Sequence, residues 1–125
     1  MLKTLFCVGL GSFLGGVARY GISRAVASVH ALTFPLGTLV VNAAGCLLIG
    51  MLYGWFDRTG DVSPGWRLFL TVGFCGGFTT FSTFAHEDFL LLQSGRFWAF
   101  AAYALLSFAL GLLAVWLGHL LVQLR

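Results

Sequence analysis

Residues 68–86 read Leu-Phe-Leu-Thr-Val-Gly-Phe-Cys-Gly-Gly-Phe-Thr-Thr-Phe-Ser-Thr-Phe-Ala-His, an apolar run with no formal charge between Arg67 and Glu87. Its length suits a bilayer-spanning helix, which needs about 20 mostly apolar residues. Its composition does not. Gly73, Gly76 and Gly77 fall within five residues, and Thr79, Thr80, Ser82 and Thr83 fill most of the next stretch. Glycine weakens a helix by about 1 kcal/mol relative to alanine, and hydroxyl side chains compete for the backbone. A helix from Trp66 to Gly76 covers about 16 Å, half the hydrocarbon thickness. The run therefore predicts a spanning helix broken at 76–80, near the bilayer midplane. Unwound backbone at that depth survives only when buried in protein or lining a polar cavity. In transporters such breaks aim freed N–H groups at anions and freed carbonyls at cations, and this one suits either. A kink with Ser/Thr bonded back to the preceding turn remains the plainer alternative.

The rest of the chain agrees with a membrane setting. Of its 125 residues 59% are hydrophobic and only 9% charged, with a mean hydropathy of +0.96. Soluble domains carry roughly 25% charged residues. Uncharged stretches at 4–18, 25–56, 68–86 and 97–124 predict four helices, over about 4–26, 36–56, 66–94 and 97–124. Together these make one all-α integral membrane domain over 1–125. Gly11-x-x-x-Gly15 and Gly50-x-x-x-Gly54 have the spacing that lets membrane helices approach closely. Ser28–Phe34 reads as a connector, with Pro35 placed to start the second helix. Asp57–Asp61 followed by Ser63-Pro64-Gly65 reads as a polar loop. Lys3, Leu5–Ala18 and Ala25-Val26-Ala27 loosely imitate a signal peptide, but Arg19 and Arg24 lie where cleaved signals rarely carry charge. The segment is expected to stay as the first helix.

The net charge of +3 does not point to nucleic acid, because the seven basic residues are scattered singly. With four spans, Lys3, Arg58, Arg67 and Arg125 share one side, and Arg19, Arg24 and Arg96 the other. So small a bias permits insertion in both orientations, and two opposed copies could then pair about a two-fold axis. A single orientation set by one or two charges stays open. Cys7, Cys46 and Cys75 lack metal-site spacing and read as packing residues. His86-Glu87-Asp88 imitates a ligand cluster, yet consecutive helical residues point about 100° apart. His30 and His119 have no spaced partners. No nucleophile–base pair or phosphate loop is present, so an enzyme is not expected.

Polar groups at membrane depth are costly and hence candidates for function. Asn42 offers two N–H donors and one acceptor, for a ligand or for interhelical bonding. Phe81 and Phe84 share a helix face; packing is the commoner use of such a pair, but ring edges can also face an anion. Tyr103 and Ser107, one turn apart, form either a polar track or two satisfied hydroxyls. Glu87 lies one turn beyond Thr83 and is expected to line whatever Thr83 lines.

Gly15-Gly16-Val17-Ala18-Arg19-Tyr20, Gly37-Thr38-Leu39-Val40-Val41-Asn42 and the run Gly73–Phe84, taken in order, resemble the Fluc (CrcB-type) fluoride channel family. The likeness spans nearly the whole chain and is most specific in the third motif; the fourth helix matches more loosely. It implies a passive fluoride exporter in a bacterial plasma (inner) membrane, an antiparallel dual-topology homodimer with two pores. It also implies that Asn42 donates to fluoride from its amide and that Phe81 and Phe84 present ring edges. The backbone carbonyls of Gly76 and Thr79 would hold a structural sodium ion on the dimer axis. Thr38, Ser82, Thr83, Glu87, Tyr103 and Ser107 would be pore-lining polar groups, and Arg19 would draw anions into a vestibule. The runner-up is a small four-helix proton-coupled multidrug exporter. That mechanism needs a membrane-embedded carboxylate, for which Glu87 is the candidate. A non-conducting assembly subunit would leave the broken helix unexplained.

Overall fold

The computed structural model describes residues 1–29 and 34–125. His30 and most of the expected Ser28–Phe34 connector lie outside the described residues. Among the described residues, four spans are long and apolar enough to cross a membrane. They are α1 (Leu2–Val29), α2 (Leu36–Thr59), a composite third span (Pro64–Gln93) and α6 (Phe97–Gln123). The third span consists of α3 (Pro64–Leu68), a π-helical segment (Phe69–Cys75), α4 (Gly76–Phe78) and α5 (Phe81–Gln93).

Three boundaries differ instructively from expectation. α2 continues through Asp57, Arg58 and Thr59, which read as loop, and stops at Gly60, whose φ of 66° suits only glycine comfortably. The extra turn is anchored at its end. Arg58 Nη1 donates to the Val122 carbonyl at 2.7 Å, setting a cation at the C-terminus of α6. The break is also narrower than 76–80. Gly76–Phe78 are helical, and only Thr79 and Thr80 are extended, with φ/ψ of −82°/158° and −150°/116°. Finally, the residues before the break form π-helix, a wider turn that glycine spacing does not announce.

The glycines of the third span therefore serve packing more than bending. α1 lies against the π-helical segment and α4, while α2 lies mainly against α6. A Cβ on Gly77 would come 2.8 Å from Ser12 Cα, and one on Gly15 would meet the Phe74 carbonyl oxygen and sit 2.8 Å from Phe78 N. Gly50 and Gly118 play the same part between α2 and α6, where a side chain would strike backbone of Val115 or Leu47. Gly15→Ala is thus expected to lower stability by about 1–3 kcal/mol, as overpacking does. Gly9→Ala, where nothing lies within 4 Å, should not. Thermal unfolding of both variants in detergent micelles checks this contrast.

Candidate functional site

The break is held open from α2. Asn42 Nδ2 donates to the Thr80 carbonyl at 3.0 Å, and Asn42 Oδ1 accepts from the Thr80 N–H at 2.8 Å. This two-point bond orients the amide without ambiguity and leaves one Asn42 N–H uncommitted. It also explains why the helix does not run on. In a continuous helix the Thr80 N–H would donate to the Gly76 carbonyl; here it is spent on Asn42. The Thr83 N–H would likewise serve the Thr79 carbonyl, but donates to Thr80 Oγ1 at 3.2 Å, so Thr80 caps α5. The carbonyls of Gly76 and Thr79 are thereby released from those donors. At the same point the N–H groups of Phe81 and Ser82 open α5 with no intrahelical acceptor.

Asn42 and the break form one side of a cleft of about 440 Å³. Gly76, Thr79, Thr80, Phe81, Phe84 and Ser107 share its wall, and none of the described residues lining it is charged. Ser107 Oγ is buried there with no hydrogen-bond partner among the described residues, a donor in waiting. The Phe81 ring is 79% exposed and stands 5.7 Å from that of Phe84.

A second cleft, lined by Phe34, Pro35, Glu87, Leu90, Leu91, Ser94 and Arg96, lies further along α5. Its carboxylate is clamped from two helices. Thr38 Oγ1 donates to Glu87 Oε1 at 2.7 Å, and Tyr103 Oη donates to Glu87 Oε2 at 2.6 Å. Tyr103 has no exposed surface and packs its ring 5.1 Å from that of Phe84. The Phe84–Tyr103 pair therefore links the two clefts, the first lined by Phe84 and the second by Glu87, to which the tyrosine hydroxyl donates.

The candidates thus divide. Asn42, Phe81, Phe84, Ser107, Gly76 and Thr79 meet at the first cleft; Thr38, Glu87 and Tyr103 form a separate hydrogen-bonded group. Tyr103 and Ser107, one turn apart on α6, fall to different groups. Ser82 and Thr83 are exposed and lie outside both linings; Thr83 Oγ1 accepts from Thr80 Oγ1 at 3.0 Å, and Ser82 Oγ shares a 3.4 Å hydrogen bond with the same hydroxyl. Thr83 and Glu87 therefore do not line one surface as expected, because the carboxylate turns inward to the two hydroxyls. Arg19 on α1 lines neither cleft. His86 is exposed and Asp88 only 7% exposed, so these neighbours of Glu87 point away from it. His119 shares a 2.8 Å contact with Gln123. Two roles escaped the sequence reading: Thr80 as the backbone partner of Asn42, and Asp88 as a buried carboxylate with one oxygen unpartnered among the described residues. Neither leaves a mark in spacing or composition.

Residues 6–119 match the family described as CrcB-like protein, Camphor Resistance (CrcB). Several relatives are named fluoride-specific ion channel FluC. One from Flavobacterium psychrophilum is 43% identical over 122 residues, covering 98% of each chain. Another, from Methylobacterium nodulans, is 50% identical over 92% of this chain and 91% of its own. A third, from Escherichia coli, is 46% identical over 94% of each. Identity at this level over nearly full length leaves one reading of descent: the chain belongs to the CrcB-like family.

Proposed function

We propose that the chain is a fluoride-selective channel that releases the ion passively and works as an antiparallel dual-topology homodimer with two pores. The observation that carries this reading is the cleft at the break of the third span. A spare Asn42 N–H, the unpartnered Ser107 hydroxyl, two phenyl rings and the N-terminus of α5 converge there without a fixed cation. Fluoride gives up its water only where donors replace it, yet a conducting site must release it again. Neutral amide and hydroxyl donors with ring edges meet both demands, whereas a buried arginine would hold the ion. The relatives named as fluoride-specific channels support the choice of ion.

The released carbonyls of Gly76 and Thr79 fit the donor set of a sodium ion, and these are the residues that would hold it. Bound there, the ion would leave positive potential beside the anion path. Glu87, with its hydroxyl clamp and the neighbouring Arg96, belongs to the opening on the far side of Phe84. Flanking charges that favour neither orientation support antiparallel pairing, and the 79% exposure of Phe81 leaves a pore residue for a second copy to enclose. An inside-negative potential supplies about 2.3 kcal/mol per 100 mV to each exported anion, so no further energy source is needed.

Liposomes carrying the purified chain are expected to lose fluoride rapidly under a potential while retaining chloride. Equal passage of both ions, or passage of neither, contradicts the proposal. Phe81→Ile should cut the flux while the dimer still forms by cross-linking. Normal flux through that variant would remove Phe81 from the pathway.

A further inference from the structure

The Asn42–Thr80 pair sets the register in which α2 and the third span run antiparallel along the first cleft. One turn from Asn42 on α2 comes Cys46, and one more turn brings Ile49. In the opposite sense on the third span, Thr80 is followed by Gly76 and Cys75, then by Thr71. All of these line the same cleft, so Cys46 and Cys75 share its wall. Both are free thiols, Cys75 buried and Cys46 half-buried. α6 lies against Cys46: a Cβ on Gly111 would lie 3.5 Å from its sulfur. The third cysteine is elsewhere, since Cys7 lines a cleft with Phe6, Leu10, Gly65 and Trp66.

We propose that Cys46 and Cys75 form a two-thiol site for a soft divalent cation of linear coordination, typified by Hg(II), one turn from the Asn42–Thr80 clamp. Sulfur ligands select soft metals, and the thiolate is the binding form. Each S–H therefore gives its proton to solvent and forms an S–Hg bond, with no change of oxidation state. The product is electrically neutral, two thiolates against one divalent ion. A cleft with no charged lining tolerates a neutral complex and would disfavour the net charge left by a monovalent metal. Because this cleft is the one assigned above to fluoride, occupancy would obstruct the path; that consequence rests on the proposed function, whereas the metal site does not.

The test uses the full chain carrying Cys7→Ser, which keeps the pair intact, with mercuric chloride as the probe. Intact-mass measurement should show one mercury gained and two protons lost per chain, and X-ray absorption at the metal edge should show two sulfur neighbours. Adding Cys46→Ala or Cys75→Ala should weaken retention against a competing monothiol about a hundredfold, because the second sulfur acts at high effective concentration. A single sulfur neighbour in the Cys7→Ser chain overturns the site, as does equal retention by the single-thiol variants. In liposomes, mercury should arrest fluoride efflux through the Cys7→Ser chain and spare a chain lacking all three cysteines. Two-sulfur binding with undiminished efflux would overturn the obstruction, and with it the assignment of this cleft to the ion path, while the thiol site stands.

Discussion

Asn42→Ala is expected to lower fluoride flux by tenfold or more and to destabilise the fold at the same time. Alanine removes both bonds to Thr80, and each buried backbone group left unpaired costs about 1–3 kcal/mol. Because the cleft admits water to this pair, the combined loss should fall near the low end, about 2 kcal/mol. The Thr80 N–H then becomes free to return to the Gly76 carbonyl, and the third span can close toward a continuous helix. Asn42→Asp separates the two effects. Its carboxylate still accepts from the Thr80 N–H, so the chain should unfold at a temperature nearer the wild type than Asn42→Ala does. It offers no donor and adds a negative charge beside the proposed anion path, so its flux should be no higher. Thermal unfolding in micelles and liposome efflux, measured on both variants, read the two quantities apart. An aspartate variant that conducts normally would leave the amide as interhelical glue alone.

Removing the Tyr103 hydroxyl should have the second large effect. Tyr103→Phe keeps the ring against Phe84 but leaves Glu87 Oε2 without its donor. A hydrogen bond to a charged group contributes about 1.5–3 kcal/mol, and Tyr103 is fully buried. Glu87 opens onto a cleft, so water offsets part of that loss and about 1.5 kcal/mol is expected. Tyr103→Phe combined with Thr38→Val frees the carboxylate altogether, and the two losses should not add, because both hydroxyls serve one group. A double-mutant cycle on unfolding free energy checks this coupling. If Glu87 is freed to move toward Phe84, fluoride flux should fall in the double variant more than in either single one.

Some parts of the fold are legible in the sequence for a physical reason. The four spans follow from hydrophobic length, which the bilayer imposes on any sequence. The break was visible as well, but for a partly mistaken reason. Gly73, Gly76 and Gly77 looked like helix breakers, yet all three are helical, and Gly73 and Gly77 let α1 approach. The chain opens at Thr79 and Thr80, where a side chain from α2 captures the N–H that would have continued the helix. Similarly, Asp57–Thr59 read as a loop because its residues are polar, while Arg58 reaches the end of α6 and holds the extra turn. Ser82 and Thr83 have the same composition as Thr79 and Thr80 but face outward. Hydroxyl count alone cannot say which of them turns inward.

Hydrophobic length and residue type, both local properties, already determine the all-helical membrane class, the interrupted third span and the set of neutral donors. The division of those donors into two sites was decided only by tertiary packing. Asn42 meets Thr80, and Thr38 and Tyr103 meet Glu87, through contacts 38, 49 and 16 residues apart in the chain. Such pairings depend on helix rotation and register. These in turn are set by which glycines face which backbone, a relation between surfaces that no single stretch of sequence contains.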